Sequence, residues 1–231
     1  MDAYGAVVRG DRSLKQIALV FTGHDLAEGG LKVLKTLKNK SVKGSFFLTG
    51  DFLREPKFRP LVIEIKRNNH YISAHSDKHL LVSDWGDRAG LLVTKDSFVH
   101  DLEANFRELE KLGFRVNDNK YYIPSYEWYN KDIVAWSKEM GYIPVNYTPG
   151  LRTAADYTYP EMGKKYLSSA DIEKGIWKEN EKADGLNGFI ILVHMGTDAR
   201  RKDKFYDHLG KMIDQLKTEG YQFVDIRTLL Q

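Results

Sequence analysis

Seven short apolar runs, most of them followed by an amphipathic stretch, are the feature that most narrows what this chain can fold into. Residues 16–22, 44–50, 71–74, 121–124, 142–147, 188–194 and 221–226 read as strands. Helical patterns lie between them at 31–40, 60–69, 95–112, 131–140, 171–182 and 204–219. In 95–112, Phe98, Leu102, Phe106 and Leu109 share one face, Thr94 or Asp96 supplies a cap, and Gly113 stops the helix. Strands that alternate with helices imply a parallel sheet with crossover helices. An open doubly wound sheet and a barrel both satisfy the pattern. The barrel is favoured because polar candidates recur just after strand ends, where a barrel assembles its active site. The expected fold is therefore α/β, a distorted (β/α)7-type barrel forming one domain over residues 15–231, after an N-terminal extension over 1–14. Residues 148–169 have no clear period and read as a long loop, the kind of segment that often serves a function or a lid.

Composition excludes several classes. The 35 basic and 32 acidic residues nearly cancel, giving a formal net charge of +3, so no nucleic-acid partner is expected. No apolar run reaches the roughly 20 residues of a spanning helix, and membrane insertion is not expected. There is no cysteine, so a metal would have to be held by His, Asp or Glu. Residues 1–5 have neither the charged nor the apolar region of a signal peptide.

The sharpest local feature is His75-Ser76-Asp77-Lys78-His79, directly after the third strand. Two imidazoles four residues apart on a helical turn face one divalent ion, although two surface histidines satisfy the same spacing. His194 ends the apolar run before it and suits a general acid, or is simply a satisfied buried histidine. Just after the first strand, Asp25 can complete a His-His-carboxylate site or cap the next helix, and His24 stands beside it. Glu127, beyond the fourth strand, suits a base or a further ligand. Tyr126, Trp128 and Tyr129 read as a sugar-stacking platform, and aromatics at strand ends also simply pack. Arg200-Arg201-Lys202 reads as a solvated loop.

Taken in order, these motifs resemble the polysaccharide deacetylases, carbohydrate esterase family four, over about residues 15–230. Residues 17–21 and 41–50 match the family's first strand and its second-strand segment with no gap between them. His75, Ser76 and His79 meet its His-Ser/Thr-x-x-His motif, and Leu192 with His194 its Leu-x-His motif. The first motif is altered. Thr22 stands where the family has its catalytic-base Asp, and Gly23 where it has its metal-binding Asp. The Arg-x-Pro-Tyr motif survives only as Ile123-Pro124-Ser125-Tyr126, and Asp156-Tyr157 stands in for the Asp-Trp of the fourth motif. The resemblance implies one divalent ion, zinc first among candidates, held by His75 and His79, and His194 as acid in removing acetyl groups from a carbohydrate. With the family's two aspartates absent, Asp25 and Glu127 are the nearby carboxylates left, and Asp25 is expected as the third ligand and Glu127 as the base. Tyr126, Trp128, Tyr129, His24 and Asp156 would contact that acetylated carbohydrate. It also implies a secreted or cell-envelope location. The rival expectation is a carbohydrate-binding pseudoenzyme that kept the fold and lost the base.

Overall fold

A computed structural model describes residues 1–115 and 120–231. Strand β1 (Gln16–Gly23) runs through the centre of a parallel sheet. It pairs with β2 (Ser45–Leu48) on one side and β6 (Phe189–His194) on the other, and β3 (Tyr71–Ala74) pairs with β2. The first residues of β1 also pair with β7 (Gln222–Val224). A second parallel pair, β4 (Tyr121–Tyr122) with β5 (Ile143–Pro144), fills the gap between β3 and β6. The Ile123 amide donates to Ala74 O at 3.3 Å on one flank, and the Thr148 amide donates to Ile190 O at 2.9 Å on the other. These bonds close seven strands into a distorted barrel of one domain.

Strand parity divides the apolar residues into two layers. Ala18, Val20, Phe47, Tyr71, Ile123, Val145, Ile190 and Leu192 form an inner cluster. Ile226 and Leu229 of helix α8 (Ile226–Leu229) pack into the same cluster. Ile17, Leu19, Phe21, Phe46, Ile72, Ile191 and Val193 belong to an outer cluster that packs under the helices. Each fully buried aliphatic side chain there stabilises by roughly 1.5–3 kcal/mol against the exposed chain. The same parity, continued past the strand ends, puts Thr22, Thr49, His75 and His194 on the inner side. The candidate chemistry therefore collects at one mouth because Val20, Phe47, Tyr71 and Leu192 fix the register below it.

Helices α1 (Gly30–Asn39), α3 (Arg59–Arg67), α4 (Lys95–Lys111), α5 (Lys131–Glu139) and α6 (Ser169–Asn180) lie within about two residues of the expected patterns. Thr94 is the residue that caps α4, its hydroxyl accepting the Ser97 amide at 3.2 Å. The expected helix 204–219 is split into a 3-10 turn at Phe205–Asp207 and α7 (Leu209–Thr218). Helix α2 (Gly50–Arg54), capped by Thr49, is too short to show a period in the sequence. Residues 148–169 hold two 3-10 stretches, Thr153–Tyr157 and Pro160–Lys165. The N-terminal extension packs onto the barrel: Val7 bridges Val145, Arg9 bridges Phe189, and Ala6 is fully buried. Among the described residues no helix is long and apolar enough to cross a membrane.

Candidate active site

A pocket of about 510 Å³ opens at the mouth where the inner-parity residues end, and His24, His75, His79, Glu127 and His194 all line it. Its walls come from loops held in costly conformations. Among the described residues, six non-glycine positions have positive φ, and four of them are Ser76, His79, Tyr126 and Glu127. Such left-handed conformations cost about 1 kcal/mol or more each and persist where surrounding contacts impose them. Here those contacts are visible. On α4, one turn apart, Asp101 and Asn105 clamp the 75–78 loop. Asp101 accepts the Ser76 hydroxyl at 2.7 Å and the amides of Asp77 and Lys78, both at 2.9 Å. Asn105 Oδ1 accepts the His75 amide at 2.8 Å.

His75 and His79 therefore sit on an irregular loop and not on the helical turn that their spacing suggests. Their rings are nonetheless brought together, with centroids 5.1 Å apart. Nδ1 of His75 lies 2.8 Å from the Ile123 carbonyl, which fixes the proton there and leaves Nε2 as an acceptor facing the pocket. Burial lowers the His75 pKa to about 4; the Ile123 carbonyl opposes this, and the neighbouring His194 and His24 charges add to it. His79 falls further, to about 2, through burial and then the charges of His75, His24 and His194. Both rings are neutral over the whole working range. His24 stacks on His79 at 4.4 Å, and its Nδ1 lies 3.2 Å from Thr49 Oγ1.

Glu127 Oε1 stands 3.9 Å from His75 Nε2. Burial raises its pKa to about 7; the His194 charge pulls it down and Asp156 pushes it up. His194 is anchored by a buried carboxylate. Asp156 accepts the His194 amide at 2.8 Å, and its other oxygen lies 2.5 Å from Nδ1. Burial disfavours the charged His194 ring, but the charge and hydrogen bond of Asp156, together with Glu127, outweigh it, so the pKa is raised. Asp156 is 1% exposed, so its position is behind His194 and not against a sugar.

The expected metal donors meet the structure unevenly. Asp25 is exposed at the rim of the pocket. A side chain at Gly23 would crowd its neighbours: an added Cβ would lie 2.7 Å from Met195 Cε, 2.9 Å from Leu48 Cδ2 and 3.0 Å from Phe52 Cε2, so those side-chain tips would have to shift. Among the described residues no group of three His, Asp or Glu is placed to hold a metal ion. The expected set of His75, His79 and Asp25 is thus not assembled: the two rings are together, Asp25 stands at the rim, and the carboxylate beside His75 is that of Glu127.

The aromatic platform is also redrawn. Tyr126 is 43% exposed over the pocket, and Trp128 is half-buried beside it. Tyr129 is fully buried, its hydroxyl donating to Asp2 Oδ2 at 2.8 Å and accepting from Asn146 Nδ2 at 3.2 Å. It is a core residue. Its place is taken by Trp85, 56% exposed, which packs against Tyr126 at 5.8 Å and Trp128 at 5.1 Å, and by Tyr157, 48% exposed. Trp85 follows no periodic segment, so the sequence carried no signal for it. Arg201, expected in a solvated loop, is 0% exposed. Its guanidinium donates to Thr158 O at 2.6 Å and Leu167 O at 2.9 Å, and so pins the segment that carries Asp156.

Comparison with known proteins agrees with this architecture. The family model for polysaccharide deacetylases matches residues 10–145. The peptidoglycan-N-acetylmuramic acid deacetylase PdaA of Bacillus subtilis (strain 168) is 26% identical over 234 residues, covering all of this chain and 77% of its own length. A crystal structure of a peptidoglycan N-acetylglucosamine deacetylase, in complex with an N-hydroxybenzamide, superposes with a TM-score of 0.77 at 25% identity, covering 99% of this chain and 94% of that one. A family 4 pseudoenzyme from Bacillus anthracis shares the fold at a TM-score of 0.75 and 18% identity, covering all of this chain and 70% of that one. The matched model spans more than half of the sequence, and the barrel agrees with the fold of the matching structures: this chain belongs to the polysaccharide deacetylase family, carbohydrate esterase family 4.

Proposed function

We propose that the chain is a hydrolase that removes acetyl groups from a carbohydrate, with Glu127 as base and His194 as acid. One observation carries this reading. A single pocket holds a buried carboxyl raised to about 7 and an imidazole whose pKa is raised by a buried aspartate. Titratable groups tuned apart from their ordinary values in this way mark an acid–base pair. In the proposed reaction a water held by Glu127 Oε1 and His75 Nε2 attacks the acetyl carbonyl, and Glu127 takes its proton. The neutral His79 ring offers an N–H to the carbonyl oxygen as negative charge develops there. The bond to the sugar nitrogen or oxygen then breaks as His194 gives its proton to the leaving group, releasing acetate. The names of the relatives favour an amino sugar polymer of the cell envelope as substrate, and hence action at or beyond the envelope.

Acetate release from acetylated amino-sugar oligosaccharides tests the reading directly. Asp156→Asn is expected to lower turnover about a hundredfold and to move the alkaline limb of the pH profile to lower pH, because the His194 proton is then held less tightly. An Asp156→Asn variant with an unchanged profile removes His194 from the acid role. Affinity for the oligosaccharides without any acetate release would favour the pseudoenzyme, a reading supported by Thr22 and Gly23 at the positions of the family's two aspartates.

A zinc ion at this mouth would meet His75 and His79 with Glu127, the base of the proposed reaction, as the carboxylate beside them and Asp25 only at the rim, and we expect correspondingly weak retention. Elemental analysis of the chain purified without added metal should give well under one ion per chain, and zinc added back should bind less in His75→Ala. One tightly held ion per chain, lost in Asp25→Ala, would overturn this and restore the His-His-Asp site.

A further inference from the structure

Beside the reaction pocket lies a second cavity of about 370 Å³, and the two share Trp85, Tyr126, Glu127 and Tyr157 as a common wall. A sugar chain seated with one residue at His194 and Glu127 would therefore place its neighbour in this second space. Trp128 and Tyr147 add aromatic rings to its lining, and Arg152 and Lys165 add two cations.

Among the described residues, the side chain of neither Arg152 nor Lys165 makes a hydrogen bond or an ion pair, whereas Arg88 is engaged. Arg88 lies 3.8 Å over the Trp128 ring and donates to the Tyr129 carbonyl at 2.7 Å. The one carboxylate lining the second cavity is Glu127, on the wall shared with the reaction pocket. Positive charge without a protein counter-ion, set beside flat apolar rings, fits a sugar that has both an apolar face and an anionic substituent. A guanidinium with an ammonium nearby favours a carboxylate, which it can bind through two parallel hydrogen bonds.

We propose that the second cavity is a subsite for a carboxylate-bearing sugar next to the residue that is deacetylated, with Arg152 and Lys165 reading the carboxylate. The proposal rests on the reading above only in taking the first pocket as the seat of the acetylated sugar. Its test is therefore binding and not turnover.

The probe is a hyaluronan tetrasaccharide, in which N-acetylglucosamine alternates with glucuronic acid, compared with the same tetrasaccharide after methyl esterification. Affinities of the full chain would be measured by calorimetry at low and moderate salt. The free acid should bind at least about tenfold more tightly than the ester, with the advantage shrinking as salt rises. Arg152→Gln combined with Lys165→Gln should remove that advantage and leave the affinity for the ester unchanged. Both residues are exposed, so the fold is not at stake. Equal affinities for acid and ester, no binding of the acid, or a double variant that still prefers the acid would each overturn the proposal. Acid-selective binding without acetate release would leave the subsite standing and count against the proposed reaction alone.

Discussion

Glu127→Gln lowers the rate of acetate release by about 10²–10⁴-fold, the range for loss of a positioned general base, while the chain folds as before. The substitution keeps the shape of the side chain and removes its ability to take a proton. Its effect on stability separates chemistry from damage. In the folded chain the Glu127 pKa is raised to about 7 by burial, above its ordinary value of 4.5. A carboxyl with a raised folded pKa binds its proton more tightly in the folded state. Its contribution to stability is therefore greatest at low pH and is lost as pH rises from the ordinary value through about 7. Above that range the ionised carboxylate disfavours the fold, and a neutral amide does not carry that cost. Thermal melts at pH 8 should show the variant no less stable than the wild type. A variant that keeps full activity would take Glu127 out of the mechanism. One that melts early would mean that lost activity reports misfolding.

The largest effect on stability belongs to a residue outside the pocket. Arg201→Ala is expected to cost about 3–5 kcal/mol, the range for breaking a buried charged network, or a fall in Tm of roughly 10 °C for a domain of this size. The side chain is 0% exposed, and its removal strands the carbonyls of Thr158 and Leu167. It also lies 5.5 Å over the Tyr166 ring. Lysine should not fully rescue the variant, because one guanidinium nitrogen holds both carbonyls while the other reaches the Ser169 hydroxyl at 3.3 Å, and a single ammonium cannot reproduce that planar arrangement. Since those carbonyls bracket the 3-10 stretch after Asp156, the activity of the variant should fall well below its melting point, as the partner of His194 loosens. A melt within about 1 °C of the wild type would show that water replaces the guanidinium without penalty.

What could be read before the structure depended on whether a residue sat next to a periodic segment. The seven strands and the main helices were legible because apolar periodicity reports burial. His75 and His194 were legible because each ends such a run, so parity alone puts it at the barrel mouth. Asp156 was visible only as half of an altered motif, and its role behind His194 depends on how an aperiodic stretch folds back over β6. The aromatic platform failed at Tyr129 for a specific reason. Two successive left-handed residues, Tyr126 and Glu127, turn the chain so sharply that neighbours in sequence face opposite ways. Arg201 was misread because a run of three cations resembles a solvated surface; nothing in its composition tells that the middle one is enclosed.

The crowding at Gly23 also bears on redesign. A carboxylate introduced there would push on the side-chain tips of Met195, Leu48 and Phe52 before it could act as a ligand. Those tips belong to a packed layer, so a gain in metal affinity would be offset by a repacking cost of about 1–3 kcal/mol. A double substitution that also trims Met195 makes the room, and it leaves its own gap if the new side chain does not fill it. Engineering at this mouth is therefore coupled to the core beneath it, whereas the exposed aromatic rim can be varied with little effect on packing.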